Sequence, residues 1–338
     1  MNRCLIKTSV MYRRIFSGPI RLGVRQPTYS PCFISDSQWA HDVIEACALS
    51  KPSDGRRVVI FHVNPGCSVV IESLLQLCDH DQIAWEPRKL YTKYLMSLAQ
   101  IYKRKFVYCR RSFVRDKEMN ILHDVLPNDR TIDDAAVHAK IVGNIPEMYN
   151  LIPKLVVILS RSSDLRLCHF GIVEPILIVT GFDYRLLTEA EYFWQNSNYG
   201  KTAVYELLLR TELLKIVPLP AFSYTRHVLK STHFDYDREN LYIVRLSLRK
   251  DLDSICSDGD VVGMMNFLAT ISKVRKHRLI PAMEYWCPDI GITLLELGIS
   301  MMDRISDIPL NLWPGIYRAV KASSNFCSSP LYIILQRM

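Results

Sequence analysis

The sequence of 338 residues lacks the short motifs that mark the commonest catalytic and metal sites. It has no CxxC pair, no HExxH, no GxSxG and no complete phosphate-binding loop, although Gly200-Lys201-Thr202 resembles the end of one. Its ten cysteines are scattered without zinc-site spacing, so we interpret them as reduced thiols, mostly in the core. No apolar run approaches the roughly 18–20 residues that a membrane-spanning helix needs. We therefore expect a soluble mature protein that uses none of these chemistries.

Acidic residues are missing from the first 35 positions, which carry six of the 42 lysines and arginines. The whole chain has 34 acids and a net charge of +8, so the part after residue 35 carries only +2. Spaced arginines among hydroxyl and apolar residues predict a mitochondrial presequence over 1–32. A disordered basic tail on a cytosolic protein is the alternative. Any argument for nucleic-acid binding must rest on local patches rather than on net charge.

Helices and buried strands alternate after Asp36, in a chain of ordinary globular composition with 49% apolar residues. This alternation implies a parallel sheet with helices on both faces, whose ligands lie beyond the carboxyl ends of the strands. From about residue 251 the pattern is helical. The predicted fold is therefore α/β, with an α/β domain at 33–250 and a small C-terminal helical domain at 251–338. Strands are predicted over 58–63, 82–86, 105–109, 139–142, 154–159, 176–180, 213–217 and 242–248, and helices over 37–49, 69–77, 88–101, 201–209, 261–272, 290–302 and 314–322.

A glycine-containing turn and an acid suggest a nucleoside site. The first strand ends at Asn64-Pro65-Gly66 before a helix, and Glu86 follows about 20 residues later at the tip of the next strand. Such a turn lets backbone approach a ligand, and a carboxylate can accept hydrogen bonds from both ribose hydroxyls. A plain strand-helix-strand turn with no ligand is the alternative.

Five segments in this order resemble the ribosomal RNA adenine dimethyltransferase family, most closely its mitochondrial branch, the mitochondrial transcription factor B proteins. The resemblance covers roughly residues 33–338, and no single motif is intact. It implies a Rossmann-like class I methyltransferase sheet and S-adenosylmethionine as the cofactor. The segments are Val63-Asn64-Pro65-Gly66, Trp85-Glu86, Gly143-Asn144-Ile145-Pro146, Tyr199-Gly200 and Lys215-Ile216-Val217-Pro218.

By this resemblance, the methyl-donor pocket uses Ile34, the turn residues Asn64, Gly66 and Ser68, and Glu86 on the ribose. The family's turn has three glycines, whereas only Gly66 remains here, and side chains at the other two positions crowd the ligand. Arg110 lies near the place of the acid that binds the adenine amine, and arginine cannot accept a hydrogen bond. Donor recognition is thus expected to be weakened.

The family's catalytic motif holds a flipped adenine by a hydrogen bond to its amine and by stacking on an aromatic ring. By resemblance, Asn144 and Pro146 keep two of its positions. Glu147 stands where the aromatic residue belongs, and a carboxylate offers no stacking surface. We therefore expect Asn144 and Pro146 to be vestigial, and whether the chain is an enzyme stays open.

Two basic patches indicate nucleic-acid binding. Between Arg88 and Lys117 there are ten cations, including Lys103, Arg104 and Lys105, interleaved with tyrosines, which suits phosphate contacts and base stacking. A solvated helix face with tyrosines at the core edge is the alternative. The second patch contains Arg275, Lys276 and Arg278; by resemblance, the first two of these fall where one paralogue group of the branch carries a basic DNA-contacting pair.

The resemblance leaves three functional hypotheses. In the first, the chain is an initiation factor of the mitochondrial nucleoid that binds mitochondrial RNA polymerase and helps to melt promoter DNA. In the second, it dimethylates adjacent adenines of mitochondrial small-subunit rRNA. In the third, it binds RNA without either activity. The substituted turn and Glu147 argue against the second hypothesis, and the basic C-terminal pair favours the first over the third.

Overall fold

A computed structural model describes most of the chain after residue 32. The predicted presequence, Arg104, Pro146 and Glu147 lie outside the described residues. Those described are 33–49, 57–103, 105–111, 113, 137–144, 148–160, 172–196, 202–223, 237, 239–256 and 260–336.

The centre of the fold is a seven-stranded mixed sheet with the order β4-β3-β2-β5-β6-β9-β7. Strands β2 to β6 are parallel, and β9 lies antiparallel between β6 and β7. Two short strands, β1 and β8, form a separate antiparallel pair. The strands are β1 Phe33–Ile34, β2 Arg57–Val63, β3 Asp81–Trp85, β4 Phe106–Cys109, β5 Val137–Asn144, β6 Ile172–Thr180, β7 Leu209–Pro218, β8 Phe222–Ser223 and β9 Asn240–Leu248.

Helices cover both faces of the sheet, as predicted. The helices are α1 Ser37–Ala46, α2 Val69–Leu77, α3 Lys89–Ile101, α4 Met148–Ser160, α5 Gly181–Thr188, α6 Ala190–Asn196, α7 Thr202–Leu208, α8 Leu252–Ile255, α9 Val261–Ile271, α10 Leu279–Trp286, α11 Gly291–Glu296, α12 Trp313–Ala322 and α13 Pro330–Gln336.

Alternation along β2 explains how one strand supports both layers. Val59 and Phe61 belong to the core on one face, together with α4 to α7 and the C-terminal helices. Val58 and Ile60 point to the opposite face, where they pack with α1 and α2. Because successive strand residues face opposite sides, a continuous apolar run is what a doubly covered strand requires.

The prediction of a strand over 154–159 is wrong, because this segment lies within helix α4. A short apolar run does not distinguish a buried strand from a buried helix. The buried positions Ile152, Leu155 and Val156 have helical spacing. The connection between parallel β5 and β6 also requires a crossover, which a helix supplies.

Other predictions differ from the structure mainly in extent. The helix over 69–77 is confirmed, whereas the one predicted over 290–302 is limited to α11 and a following loop. Helices α5, α6, α8, α10 and α13 were not predicted. The last two large strands are antiparallel, so the sheet is mixed rather than wholly parallel.

The C-terminal helices share one hydrophobic core with the sheet. The same buried cluster contains Ile141 of β5, Phe267 of α9 and Leu331 of α13. The boundaries at 250 and 251 stay a prediction. Among the described residues, no helix is long and apolar enough to cross a membrane.

Candidate nucleoside site at the carboxyl edge of the sheet

The turn after β2 depends on two residues with left-handed backbone. Asn64 has φ +52° and Gly66 has φ +61°. Asparagine and glycine tolerate this region best, which accounts for both residue types here. Ser68 then begins α2 as its N-cap, with its Oγ accepting a hydrogen bond from the Val70 N–H at 3.3 Å.

Glu86 lies at the end of β3 beside this turn, and its carboxylate is fully buried. The Gly66 N–H donates to Oε2 at 3.0 Å, and the Arg88 N–H donates to Oε1 at 3.1 Å. The Arg88 guanidinium adds two bonds of 2.5 Å, from Nε to Oε1 and from Nη2 to Oε2. A carboxylate has about four lone-pair positions, so these four hydrogen bonds use its acceptor capacity.

Arg88 and Phe33 pack around the turn. The Arg88 guanidinium carbon lies 5.0 Å from the centre of the Tyr91 ring, and the edge of the Phe33 ring packs against Tyr91 with centroids 5.7 Å apart. A Cβ added to Gly66 would lie 2.5 Å from Phe33 Cδ1. The free space that glycine provides at this turn is thus taken by Phe33.

The structure separates the residues predicted for the donor pocket. Asn64, Gly66, Ser68 and Glu86 come together at the carboxyl ends of β2 and β3. Ile34 instead packs in the core beside α1, and its neighbour Phe33 is the residue that faces the turn.

Arg110 follows the end of β4, where its side chain is exposed. The pocket roles of these residues stay predictions.

The predicted catalytic segment begins at the same edge of the sheet. Asn144 is the last residue of β5 and pairs with Ile178 of β6. Gly143 lies opposite Val63, and an added Cβ would come within 2.7 Å of the Val63 carbonyl oxygen. This glycine is therefore explained by strand packing. Pro146 lies outside the described residues.

The tyrosines of the first basic patch belong to the core edge, while those of its cations that the structure describes point outward or to neighbours. Tyr91 is buried, and Tyr108 donates from its hydroxyl to the Glu86 carbonyl at 3.1 Å. Lys103 is exposed, and Lys105 pairs with Asp79 at 2.7 Å. Both lysines precede β4 and so lie at the amino edge, away from Glu86. This arrangement favours the solvated-face interpretation over base stacking.

The second basic patch is divided. Lys276 and Arg278 are exposed. Arg275 turns inward: Nη2 donates to the Gln195 carbonyl at 3.4 Å, while Nε and Nη1 are buried without a hydrogen-bond partner in the described part of the chain. The partial burial of its guanidinium lowers the pKa of Arg275. Lys276 and Arg278 are thus better placed than Arg275 to contact a phosphate.

Sequence reasoning missed Arg88 as a residue of the pocket. A signal was present, because Glu86-Pro87-Arg88 is an extended tripeptide, and residues two apart on an extended chain point to the same side. Arg88 has φ −84° and ψ 126° as the N-cap residue of α3. An acid and an arginine at this spacing can therefore pair directly.

S-adenosylmethionine does not fit the site in this arrangement. In the pocket that the resemblance implies, its ribose hydroxyls would need acceptor positions on Glu86, and Arg88 and the two backbone N–H groups already use them. No group of three or more potential metal ligands occurs among the described residues. The described cysteines are all free thiols.

The strand order and directions define the class of fold. Five parallel strands followed by an antiparallel pair, with helices on both faces, form the Rossmann-like sheet of class I methyltransferases. No protein-family model matches the chain, and no curated protein matches it in sequence.

Several solved structures are similar to the chain at low identity. The 23S rRNA methyltransferase ErmE matches at 12% identity and a TM-score of 0.47, over 85% of this chain and 98% of that one. The METTL16 methyltransferase domain matches at 10% and 0.37, over 71% and 77%. TYW2 of M. jannaschii in complex with AdoMet matches at 11% and 0.31, over 61% and 76%. The fold class rests on the strand order, and these distant likenesses add no argument about function.

Proposed function

We propose that the chain is a mitochondrial transcription initiation factor built on a methyltransferase fold, of the second paralogue group of mitochondrial transcription factor B. The observation that supports this proposal is the internal ion pair of Glu86 with Arg88, which takes up the acid that a methyl donor would need. A factor that binds nucleic acid without methylating it can dispense with that acid. The site of action is the nucleoid of the mitochondrial matrix.

The exposed cations of the C-terminal region provide the second element of the proposal. Lys276 and Arg278 lie between α9 and α10, and both can reach a phosphate from the surface. Neutralising the backbone of a separated strand stabilises the melted state over the duplex. The partners are mitochondrial RNA polymerase and promoter DNA.

Promoter opening in the presence of the polymerase tests this function. A fluorescent base near the start site reports melting, and we expect an increase that depends on both proteins. Replacing Lys276 and Arg278 by alanine together should weaken binding to single-stranded DNA and reduce the slope of log K against log salt by about 1.4, for two lost phosphate contacts.

The matched control is Arg210→Ala, which removes an exposed arginine at the start of β7. This variant should open the promoter as the unmodified chain does. If the chain binds single-stranded RNA but leaves the promoter closed with the polymerase present, the proposal is wrong and the RNA-binding hypothesis replaces it.

Methylation of adjacent adenines in mitochondrial small-subunit rRNA is the second candidate function. The observation in its favour is that Gly66, Glu86 and Asn144 all lie at the carboxyl edge of one sheet. Transfer of labelled methyl groups from S-adenosylmethionine to this rRNA tests it. Transfer that is lost in Glu86→Ala would establish the enzymatic function and contradict a purely non-catalytic chain.

A further inference from the structure

We infer that Arg88 is the residue that determines ligand exclusion at this site, because its guanidinium takes the place of a nucleoside ribose. The inference rests on the proposed function and deepens it by assigning the loss of donor binding to one side chain. The nucleotide-type pocket is closed by an internal occupant, so removing that occupant should reopen it to adenosyl ligands.

The acceptor capacity of the Glu86 carboxylate is used up within the chain. Four N–H groups bind Glu86, two from the backbone and two from the Arg88 side chain. Removing the guanidinium would release two acceptor positions, one on each oxygen. Two positions are what the 2′ and 3′ hydroxyls of a ribose need. The backbone bonds from Gly66 and Arg88 would still orient the carboxylate.

The ion pair of Arg88 with Glu86 is stronger than the hydrogen bonds that a ribose could make in its place. A bidentate arginine–carboxylate pair consists of two charge-assisted hydrogen bonds, each about twice as strong as a neutral one. A ribose offers only neutral hydroxyls. The guanidinium is also attached to the same chain two residues away, so it acts at a high effective concentration. A free nucleoside at ordinary concentrations cannot displace it.

Arg88 is also held in place from its other side. Its guanidinium lies over the ring of Tyr91, a buried residue of α3 that packs against Phe33. Arg88 Nη2 also lies 3.5 Å from the Asn64 carbonyl oxygen. Only 20% of the Arg88 side chain is exposed, whereas an arginine that merely decorates the surface would be largely solvated. The side chain is thus an integral part of the closed pocket.

Calorimetric titration with S-adenosylhomocysteine tests the inference without requiring turnover. The informative variant is Arg88→Met, which keeps an apolar stem against Tyr91 and removes the guanidinium. We expect no measurable binding to the unmodified chain. The Arg88→Met variant should bind the probe with an affinity about tenfold or more above the weakest that the titration can detect. The gain should disappear in the double variant Glu86→Ala, Arg88→Met. Lys89→Met is the matched control, since Lys89 is the adjacent exposed cation, and it should bind no better than the unmodified chain.

Two results would overturn the inference. One is a folded Arg88→Met chain, as shown by circular dichroism, that binds the probe no better than the unmodified chain. The other is tight binding to the unmodified chain that is lost in Glu86→Gln, because the pocket would then be open with Arg88 present. The second measurement remains decisive if Arg88→Met does not fold, since absence of Glu86-dependent binding to the unmodified chain supports closure.

Failure of this inference is distinguishable from failure of the proposed function. Promoter opening by the unmodified chain tests the function and does not require that Arg88 be the occluding residue. If the unmodified chain opens the promoter but Arg88→Met binds S-adenosylhomocysteine no better, only the role of Arg88 is discarded. If Arg88→Met binds S-adenosylhomocysteine more tightly but the unmodified chain does not open the promoter, the role of Arg88 is kept and the function as an initiation factor is discarded.

Discussion

Two carboxylates at opposite ends of the sheet, Glu86 fully buried and Glu174 partly buried, pair with arginine in different ways. Glu86 lies at the carboxyl edge, and its arginine is two residues away in sequence. Glu174 lies near the amino end of β6, where it forms an ion pair with Arg245 of β9 and contacts Lys140 and His138 of β5. One pair is local, whereas the other joins three strands.

The difference shows which group depends on the assembled sheet. Lys140 is only 2% exposed, and its Nζ donates to the Ala48 carbonyl at 2.5 Å as well as lying 3.6 Å from Glu174. Burial lowers the pKa of Lys140, partly offset by the charge of Glu174. Burial alone would raise the pKa of Glu174, but His138, Lys140 and Arg245 together lower it. The Lys140 ammonium is thus almost wholly removed from water, whereas the Arg88 and Arg245 side chains are 20% and 30% exposed.

The largest expected effect is at the amino end of the sheet. Glu174→Ala leaves Lys140 and Arg245 without their shared partner, so we expect a loss of about 3–5 kcal/mol in the free energy of unfolding, measured with urea. Glu212→Ala is the control, because it removes the outer, more exposed partner of Arg245 and should cost far less. A loss below about 1 kcal/mol in Glu174→Ala would mean that the network is not a buried one.

The buried pair of His62 and Gln82 carries no charge at neutral pH, so it shows what burial does to stability without an ion pair. His62 Nε2 lies 2.9 Å from Gln82 Oε1, and burial lowers the pKa of His62 from 6.5 to about 4. Between these values the unfolded chain binds a proton that the folded chain does not, so stability falls as the pH is lowered. The expected loss is about 3 kcal/mol between pH 7 and pH 4.

Unfolding in urea at a series of pH values measures this loss. His62→Gln has no titrating group at this position, so its free energy of unfolding should change less steeply with pH. The difference in slope corresponds to at most one proton taken up on unfolding. An identical pH dependence in both proteins would show that His62 is not the group responsible.

A smaller loss is expected at the carboxyl edge. Glu86→Ala removes the acceptor for Gly66 and Arg88, but Arg88 can move its guanidinium into water. We expect about 1–2 kcal/mol, clearly less than for Glu174→Ala, in the same urea measurement. Glu86→Gln keeps an acceptor for the Gly66 N–H, so its free energy of unfolding should lie between those of the unmodified chain and of Glu86→Ala. Equal losses in Glu86→Ala and Glu174→Ala would remove the distinction between local and long-range pairs.

The smallest effect is expected for an exposed version of the same pair. Arg185 and Glu189 lie one helical turn apart, at the end of α5, with side chains 36% and 43% exposed. Glu189→Ala should change the free energy of unfolding by about 0.5 kcal/mol or less. Raising the salt concentration should diminish that difference further. A loss as large as that of Glu86→Ala would show that exposure to water does not weaken the pair of Arg185 and Glu189.

The positions of the turn and of the acid could be predicted from the sequence, whereas their role in binding a ligand stays a prediction. The turn at Asn64 to Ser68 and the acid Glu86 were found because each follows a compact apolar run, and ends of parallel strands meet at one edge. The pairing of Arg88 with Glu86 was missed because the motifs of a ligand site describe groups that bind a ligand, not an internal partner of those groups. Linear order does not show which edge of the sheet a residue occupies, so the place of Lys103 and Lys105 away from Glu86 was not predictable, and their contact with nucleic acid stays a prediction.

Local patterns alone determined most strands, the helix over 69–77 and the position of the turn, because these depend on periodicity and on residues with special backbone freedom. Tertiary structure decided what sequence order cannot express: the placement of β9 between β6 and β7, the helical state of 154–159, and the inward turn of Arg275. It also decided that the four acceptor positions of Glu86 are filled from within. Each of these depends on which distant groups meet and compete for the same space, hydrogen bonds and water.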